Sequence, residues 1–140
     1  MPAEAPADRP VGGSRSLEAA LLETALRDPD RLATIDPDGA RSYAEIAAGA
    51  VSVARFLASD AGLRPGDPVA LLLDSTPAYA AAFHGVLLAG GVAVPIPPAL
   101  PAERIDELIA WTECRVVLEG TSGGGESGPT LDLETRLRDD

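Results

Sequence analysis

Two rhythms of apolar residues alternate along this chain. The first is helical. Leu17, Leu21 and Ala25 fall on one face, with Ser16 placed to cap, Glu18 in the first turn, Arg27 in the last and Pro29 just beyond. This spacing predicts a helix over Leu17 to Arg27. Ser42-Tyr43-Ala44-Glu45 is a capping box, and it opens a second helix with Ile46, Ala50, Val53 and Leu57 on one side, stopped by Gly62. A third follows Thr76 as cap and Pro77 at the first position, where a missing N–H does no harm, with Ala80, Phe83, Leu87 and Leu88 expected inward. Pro101 starts a fourth, with Ile105, Leu108 and Ile109 inward.

The second rhythm is the short continuous apolar run. Val69 to Leu73, Val92 to Ile96 and Val116 to Leu118 read as buried strands, each separated from the next by a connection long enough for a helix. Strand, helix, strand, helix, strand implies parallel pairing with right-handed crossovers, and strands this apolar require helices on both faces. The expected class is α/β, a three-layer Rossmann-like parallel sheet. A small hairpin precedes it: strand Leu32 to Ile35, the turn Asp36-Pro37-Asp38-Gly39, and a return through Ala40 and Arg41. Arg64-Pro65-Gly66-Asp67 is a turn that feeds the first sheet strand. The expected organisation is a disordered 1–15, a folded 16–119, and a Gly/Ser linker with acidic tail over 120–140, carrying one weak helix across Leu131 to Leu137.

Composition narrows the functions open to it. A length of 140 residues sets one domain at most. The net charge is −11, from 22 acidic residues and 11 basic ones, and every basic residue is arginine. Such a surface repels nucleic acid and anionic lipid. Neither is expected as a partner. Cys114 stands alone, so no internal disulfide is available and nothing points to secretion. The start, MPAEAPADRP, lacks the cationic and apolar parts of a signal peptide, and a cytoplasmic location is expected from that. Ala78 to Leu100 carries no formal charge and is long enough to span a bilayer. Gly90-Gly91 in its middle, His84, and Pro95, Pro97 and Pro98 break it into a helix and then a strand.

Three segments carry a family resemblance. Arg41 to Ile46 (RSYAEI) is similar to an S/T-Y-x-E-L element, Leu63 to Leu73 (LRPGDPVALLL) to a G-D-x-V-A strand entry, and Gly85 to Pro98 (GVLLAGGVAVPIPP) to an A-G-x-x-x-V-P element. Together, in this order, they resemble the N-terminal part of the acyl-adenylate-forming superfamily: acyl-CoA synthetases, peptide-synthetase adenylation domains and fatty acyl-AMP ligases. Pro97-Pro98 and the following ERIDEL lean toward the fatty acyl-AMP ligase branch. The resemblance spans about residues 17–119 and implies a scaffold that is incomplete relative to the family. It also implies that the phosphate loop, the adenine and ribose contacts and the catalytic lysine lie later. ATP and Mg are implied only for a complete member. This chain has no lysine, so no catalytic, cofactor-binding or metal residue is carried over.

Four features invite a chemical role. Thr121 to Pro129 (TSGGGESGP) begins like the family's phosphate loop, but it lacks lysine, carries Glu126 and comes early, so a flexible linker is the reading adopted. His84 lies beside Phe83 with no nucleophile or carboxylate partner identifiable, so a packed histidine is expected. Asp74-Ser75-Thr76 ends a strand where α/β sheets bind ligands, though capping explains the same residues. Cys114 is expected to be a buried thiol with nothing to activate it.

Three functions follow as expectations. One is the front section of a split or truncated acyl-adenylating ligase, inactive alone and acting with a complementary fragment; it predicts an unpaired sheet edge and exposed apolar surface. Another is a non-catalytic interaction module that docks on a carrier protein or a full-length ligase. A third is a small nucleotide binder using the 121–129 loop.

Overall fold

The structure is a computed structural model that describes residues 16–37, 39–120 and 133–137. The expected disordered start and the 121–129 loop lie outside these residues.

Helix α1 (Leu17–Arg27) is capped by Ser16, whose Oγ accepts the Ala19 N–H at 3.3 Å. β1 (Leu32–Asp36) and β2 (Gly39–Ser42) form the expected antiparallel hairpin. The capping box is complete on α2 (Tyr43–Ser59): the Glu45 N–H donates to Ser42 Oγ at 3.2 Å, and the Ser42 N–H donates to Glu45 Oε2 at 2.9 Å.

The main sheet has β3 (Pro68–Leu72), β4 (Val92–Pro95), β5 (Val116–Gly120) and β6 (Leu133–Leu137) in the order β4-β3-β5-β6. α3 (Pro77–Leu88) links β3 to β4, and α4 (Ala102–Trp111) links β4 to β5. β3 pairs in parallel with β4 and with β5. A chain that steps outward and then back across its first strand, with one crossover hand, must put its two helices on opposite faces. Burial agrees. Val69, Leu71, Val116 and Leu118 pack with Val53, Leu57, Ala82 and Val86 of α2 and α3. Ala70 and Val117, on the other face, pack with Ile105 and Ile109 of α4. These are the three expected layers, and α1 adds Leu21 against Ile46, Ala47 and Ala50 outside α2.

Two expectations require correction. The segment Leu131 to Leu137 was expected to hold a weak helix in a tail. Residues Leu133–Leu137 instead form β6, antiparallel to β5, so the sheet is mixed. LETRL alternates apolar and charged residues around Thr135, a period of two, and the far side of β5 offers a full ladder of backbone partners. The inward face of α3 also differs. Ala81, Ala82, Gly85 and Val86 are the buried residues, while Ala80, Leu87 and Leu88 are half-buried and Phe83 packs at the margin of the sheet core. The helix is apolar on every side because it is covered on more than one. Ala82 and Val86 meet the sheet core, Gly85 meets α2, and Ala80 and Leu88 join the α1–α2 cluster.

Candidate functional site

In an open α/β sheet, ligands bind at the carboxyl ends of the strands, where neighbouring strands send their connections to opposite faces. The strand order reverses at β3, which has β4 on one side and β5 on the other, with α3 and α4 on opposite faces. The position is bounded by Leu73–Thr76 after β3, by Ile96–Pro101 after β4, and by Gly120 at the end of β5. A Cβ on Gly120 would stand 3.3 Å from Leu73 Cδ2, so β5 closes tightly against the β3 exit. The Ile96 N–H donates to the Leu71 carbonyl at 2.9 Å, which extends the β3–β4 ladder to this edge.

Asp74, Ser75 and Thr76 are exposed here. Thr76 has the extended backbone of an N-cap, but its side chain makes no cap hydrogen bond, contrary to expectation. The reason is local. The Tyr79 N–H, which a capping hydroxyl would accept, already donates to the Thr76 carbonyl at 3.0 Å, and Pro77 has no N–H. The Thr76 N–H in turn donates to the Asp74 carbonyl at 2.8 Å.

The other candidates lie apart from this edge. His84 is half-buried on α3, with Nδ1 2.8 Å from the Ala80 carbonyl. A carbonyl only accepts, so Nδ1 carries the proton. The ring meets Phe83 edge-on at 5.5 Å. This is the packed histidine that was expected. Cys114 is 2% exposed, sits in the α4 cluster and has Thr112 Oγ1 3.2 Å from Sγ. Among the described residues, no group of three or more His, Cys, Asp or Glu is placed to hold a metal ion. No described helix is long and apolar enough to cross a membrane, and Ala78 to Leu100 divides into α3, a turn and β4.

The three motif segments behave differently from a site. Two of them meet at the amino edge of the sheet. Asp67 Oδ2 accepts the Arg64 N–H at 2.9 Å and lies 3.7 Å from the Arg115 guanidinium. The Gly66 N–H donates to the Gly90 carbonyl at 2.8 Å, and the Val92 N–H donates to the Asp67 carbonyl at 2.9 Å. Gly90 has φ +81°, which is why the turn out of α3 is a glycine. These residues join strands; they face away from the ligand edge.

Among the described residues, the carboxyl edge presents the exposed Asp74.

Comparison with known proteins supplies the relationship. A model of the AMP-binding enzyme family matches residues 21–136. Phosphinothricin tripeptide synthetase PhsC of Streptomyces viridochromogenes is 34% identical over 126 residues, covering 90% of this chain and 11% of that protein. The N-terminal subdomain of Klebsiella oxytoca NpsA, solved in complex with anthranilyl-AMSN, is similar with a TM-score of 0.66 at 26% identity, over 72% of this chain and 26% of that one. The fatty acid AMP ligase from Legionella pneumophila is similar with a TM-score of 0.69 at 28% identity, over 76% of this chain and 20% of that one. The chain thus spans a small share of the length of these proteins and matches the N-terminal part of the adenylation domain.

Proposed function

This chain belongs to the AMP-binding enzyme family, and we propose that it is the N-terminal scaffold of an acyl-adenylating ligase, inactive by itself and active only with a complementary piece that brings the phosphate loop and the catalytic lysine. The observation that carries this reading is the contrast between its two sheet edges. The amino edge is joined through Asp67, Gly66 and Gly90, whereas the described residues of the carboxyl edge are Asp74-Ser75-Thr76, a proline-rich turn and Gly120. The exposed apolar side chains Leu26, Ile35 and Trp111, between 77% and 85% accessible, support surface left for such a piece. The substrate is a carboxylic acid activated as its adenylate, and the acceptor is a carrier thiol or coenzyme A. On sequence identity the branch favoured is the peptide-synthetase adenylation region, with the fatty acyl branch second.

The test is ATP–pyrophosphate exchange. The full chain alone gives none. Sequencing the DNA beyond codon 140 and in the neighbouring frame identifies a piece bearing the missing loop and lysine, and co-expression with it yields exchange. Exchange by the chain alone would overturn the proposal.

One observation favours a second reading, a non-catalytic docking module for a carrier protein or a full-length ligase. Both faces of the sheet are covered by the chain's own helices. Tight binding to an isolated carrier protein, together with cooperative unfolding of the chain alone and no exchange with any complementary piece, would select it.

A further inference from the structure

β4 borders the main sheet, and its outer side is closed to a further strand. The Val92 N–H donates to the Asp67 carbonyl and the Ile96 N–H to the Leu71 carbonyl, both at 2.9 Å, so the even-numbered residues turn their amides inward to β3. The odd-numbered residues turn outward. Of these, Pro95 and Pro97 have no N–H to give. Whatever covers this border therefore meets it through side chains. Apolar groups from both helical layers flank it. On one face Tyr79 and Phe83 of α3 stack with ring centroids 6.2 Å apart, and both lie with Ala93 at the margin of the same core cluster. On the other face Leu108 of α4 and Val94 of β4 pack on one cluster, and Val92 is 50% exposed. Trp111, one turn beyond Leu108 on the same side of α4, is 82% exposed. The right-handed crossover turns that side of α4 toward β4.

Charge is balanced at this border, in a chain whose net charge is −11. Residues 78–100 carry none, and Arg104, on the Trp111 side of α4, pairs with Glu107 at 2.9 Å. An open tryptophan among half-buried apolar groups, with no net charge around it, has the composition of an interface core. The occupant follows from length. This chain spans 26% of a solved N-terminal subdomain that shares its fold, which leaves the larger part of such a subdomain to be packed against the scaffold. We propose that the complementary piece of the ligase docks on the α4 side of the β4 border and buries Trp111. The proposal rests on the ligase reading and adds to it the surface and the chemistry of the contact. The piece brings an apolar, uncharged set of side chains to β4, and no strand.

Two readouts on the full chain separate this proposal from the reading beneath it. ATP–pyrophosphate exchange identifies the piece, and a fluorine label locates the contact. Trp111 is the only tryptophan, so the chain made with fluorotryptophan gives a single fluorine resonance. Adding the unlabelled piece that confers exchange is expected to shift that resonance and to remove its sensitivity to replacing light water with heavy water. Trp111→Glu is expected to raise the concentration of piece needed for half-maximal exchange by at least about tenfold. Trp111→Phe keeps an aromatic ring and raises it less. Ser52→Glu puts the same charge at an exposed position of α2, on the opposite face of the sheet, and leaves it unchanged. Trp111 stands clear of the core, so none of these outcomes requires the chain to unfold. A piece that confers exchange while the resonance stays in place overturns the proposal and leaves the ligase reading standing. So does a Trp111→Glu chain that behaves like Ser52→Glu. If no piece confers exchange, or the chain gives exchange alone, the ligase reading falls and this proposal falls with it.

Discussion

Gly85 is the tightest point between α2 and α3, and replacing it with alanine tests the packing of the whole helical layer. A Cβ built there would lie 2.6 Å from Val53 Cβ, 2.7 Å from Val53 Cγ1 and 2.9 Å from the Ala50 carbonyl oxygen. Carbon atoms sit comfortably at about 3.5–4.0 Å, so the overlap is about 1 Å. The obstruction cannot rotate away, because the Val53 Cβ and the Ala50 carbonyl move only with the α2 backbone. Helix propensity works in the opposite direction, favouring alanine over glycine by about 1 kcal/mol. Overpacking of a well-filled interior destabilises by typically 1–3 kcal/mol and occasionally more, and this site is at the severe end. The expected net loss for Gly85→Ala is about 2–3 kcal/mol, or a fall in Tm of roughly 6–12 °C for a domain of this size. Urea and thermal unfolding followed by circular dichroism measure it. Ala48 supplies the control that isolates the propensity term: it is exposed on α2, and Ala48→Gly should destabilise by about 0.5–1 kcal/mol in the same titrations. If Gly85→Ala melted at or above the wild type, the two helices would not be held at this separation and the account of the α2–α3 layer would fail.

Three further outcomes are expected. Glu113 holds φ 58° just after α4, a conformation that disfavours side chains by about 1–2 kcal/mol, partly offset by the entropy glycine has when unfolded. Glu113→Gly should therefore raise stability by about 0.5–1 kcal/mol in urea titration, and a loss would show that Glu113 contributes more than its backbone strain removes. Thr34 has a buried Oγ1 without a hydrogen-bond partner among the described residues, so Thr34→Val should be neutral or stabilising by about 1 kcal/mol, whereas destabilisation beyond that would reveal a bonded hydroxyl. Cys114, at 2% exposure, should react with a thiol reagent only as fast as the native state opens, and rapid labelling in native buffer would contradict its burial.

How much of this was legible follows from where each signal resides. α1, α2 and the hairpin were readable because their determinants are local: Ser16, the Ser42–Glu45 box and the turn through Gly39 act within a few residues. The three parallel strands were readable because burial on both faces leaves a continuous apolar run, as in Val69 to Leu73. The inward face of α3 was not, since a helix covered by α2 on one side and the sheet on another shows no single stripe, and the contact that orders it is made by a missing Cβ at Gly85. β6 was missed for the opposite reason. Five residues with two charges look like a tail, and only the vacant side of β5, which no local pattern reveals, makes them a strand.

The same division explains why the family was legible and the chemistry was not. The residues that carried the resemblance, Gly66, Asp67 and Gly90 with Val92, bond to one another across the amino edge of the sheet. They are demanded by geometry: a turn that needs positive φ, a carboxylate that ties down the Arg64 amide, a backbone crossing from one strand start to the next. Any member with this strand order has the same joinery to build, whatever acid it activates, so these residues identify the scaffold and are silent on substrate. Substrate and nucleotide would be read at the opposite edge, beyond β3, β4 and β5. There this chain offers Asp74-Ser75-Thr76, Pro97-Pro98 and Gly120, residues whose types are equally explained by turns and helix starts. Because the described residues at the carboxyl edge are explained by turns and helix starts, pyrophosphate exchange with and without a complementary piece discriminates better than any substitution within this chain.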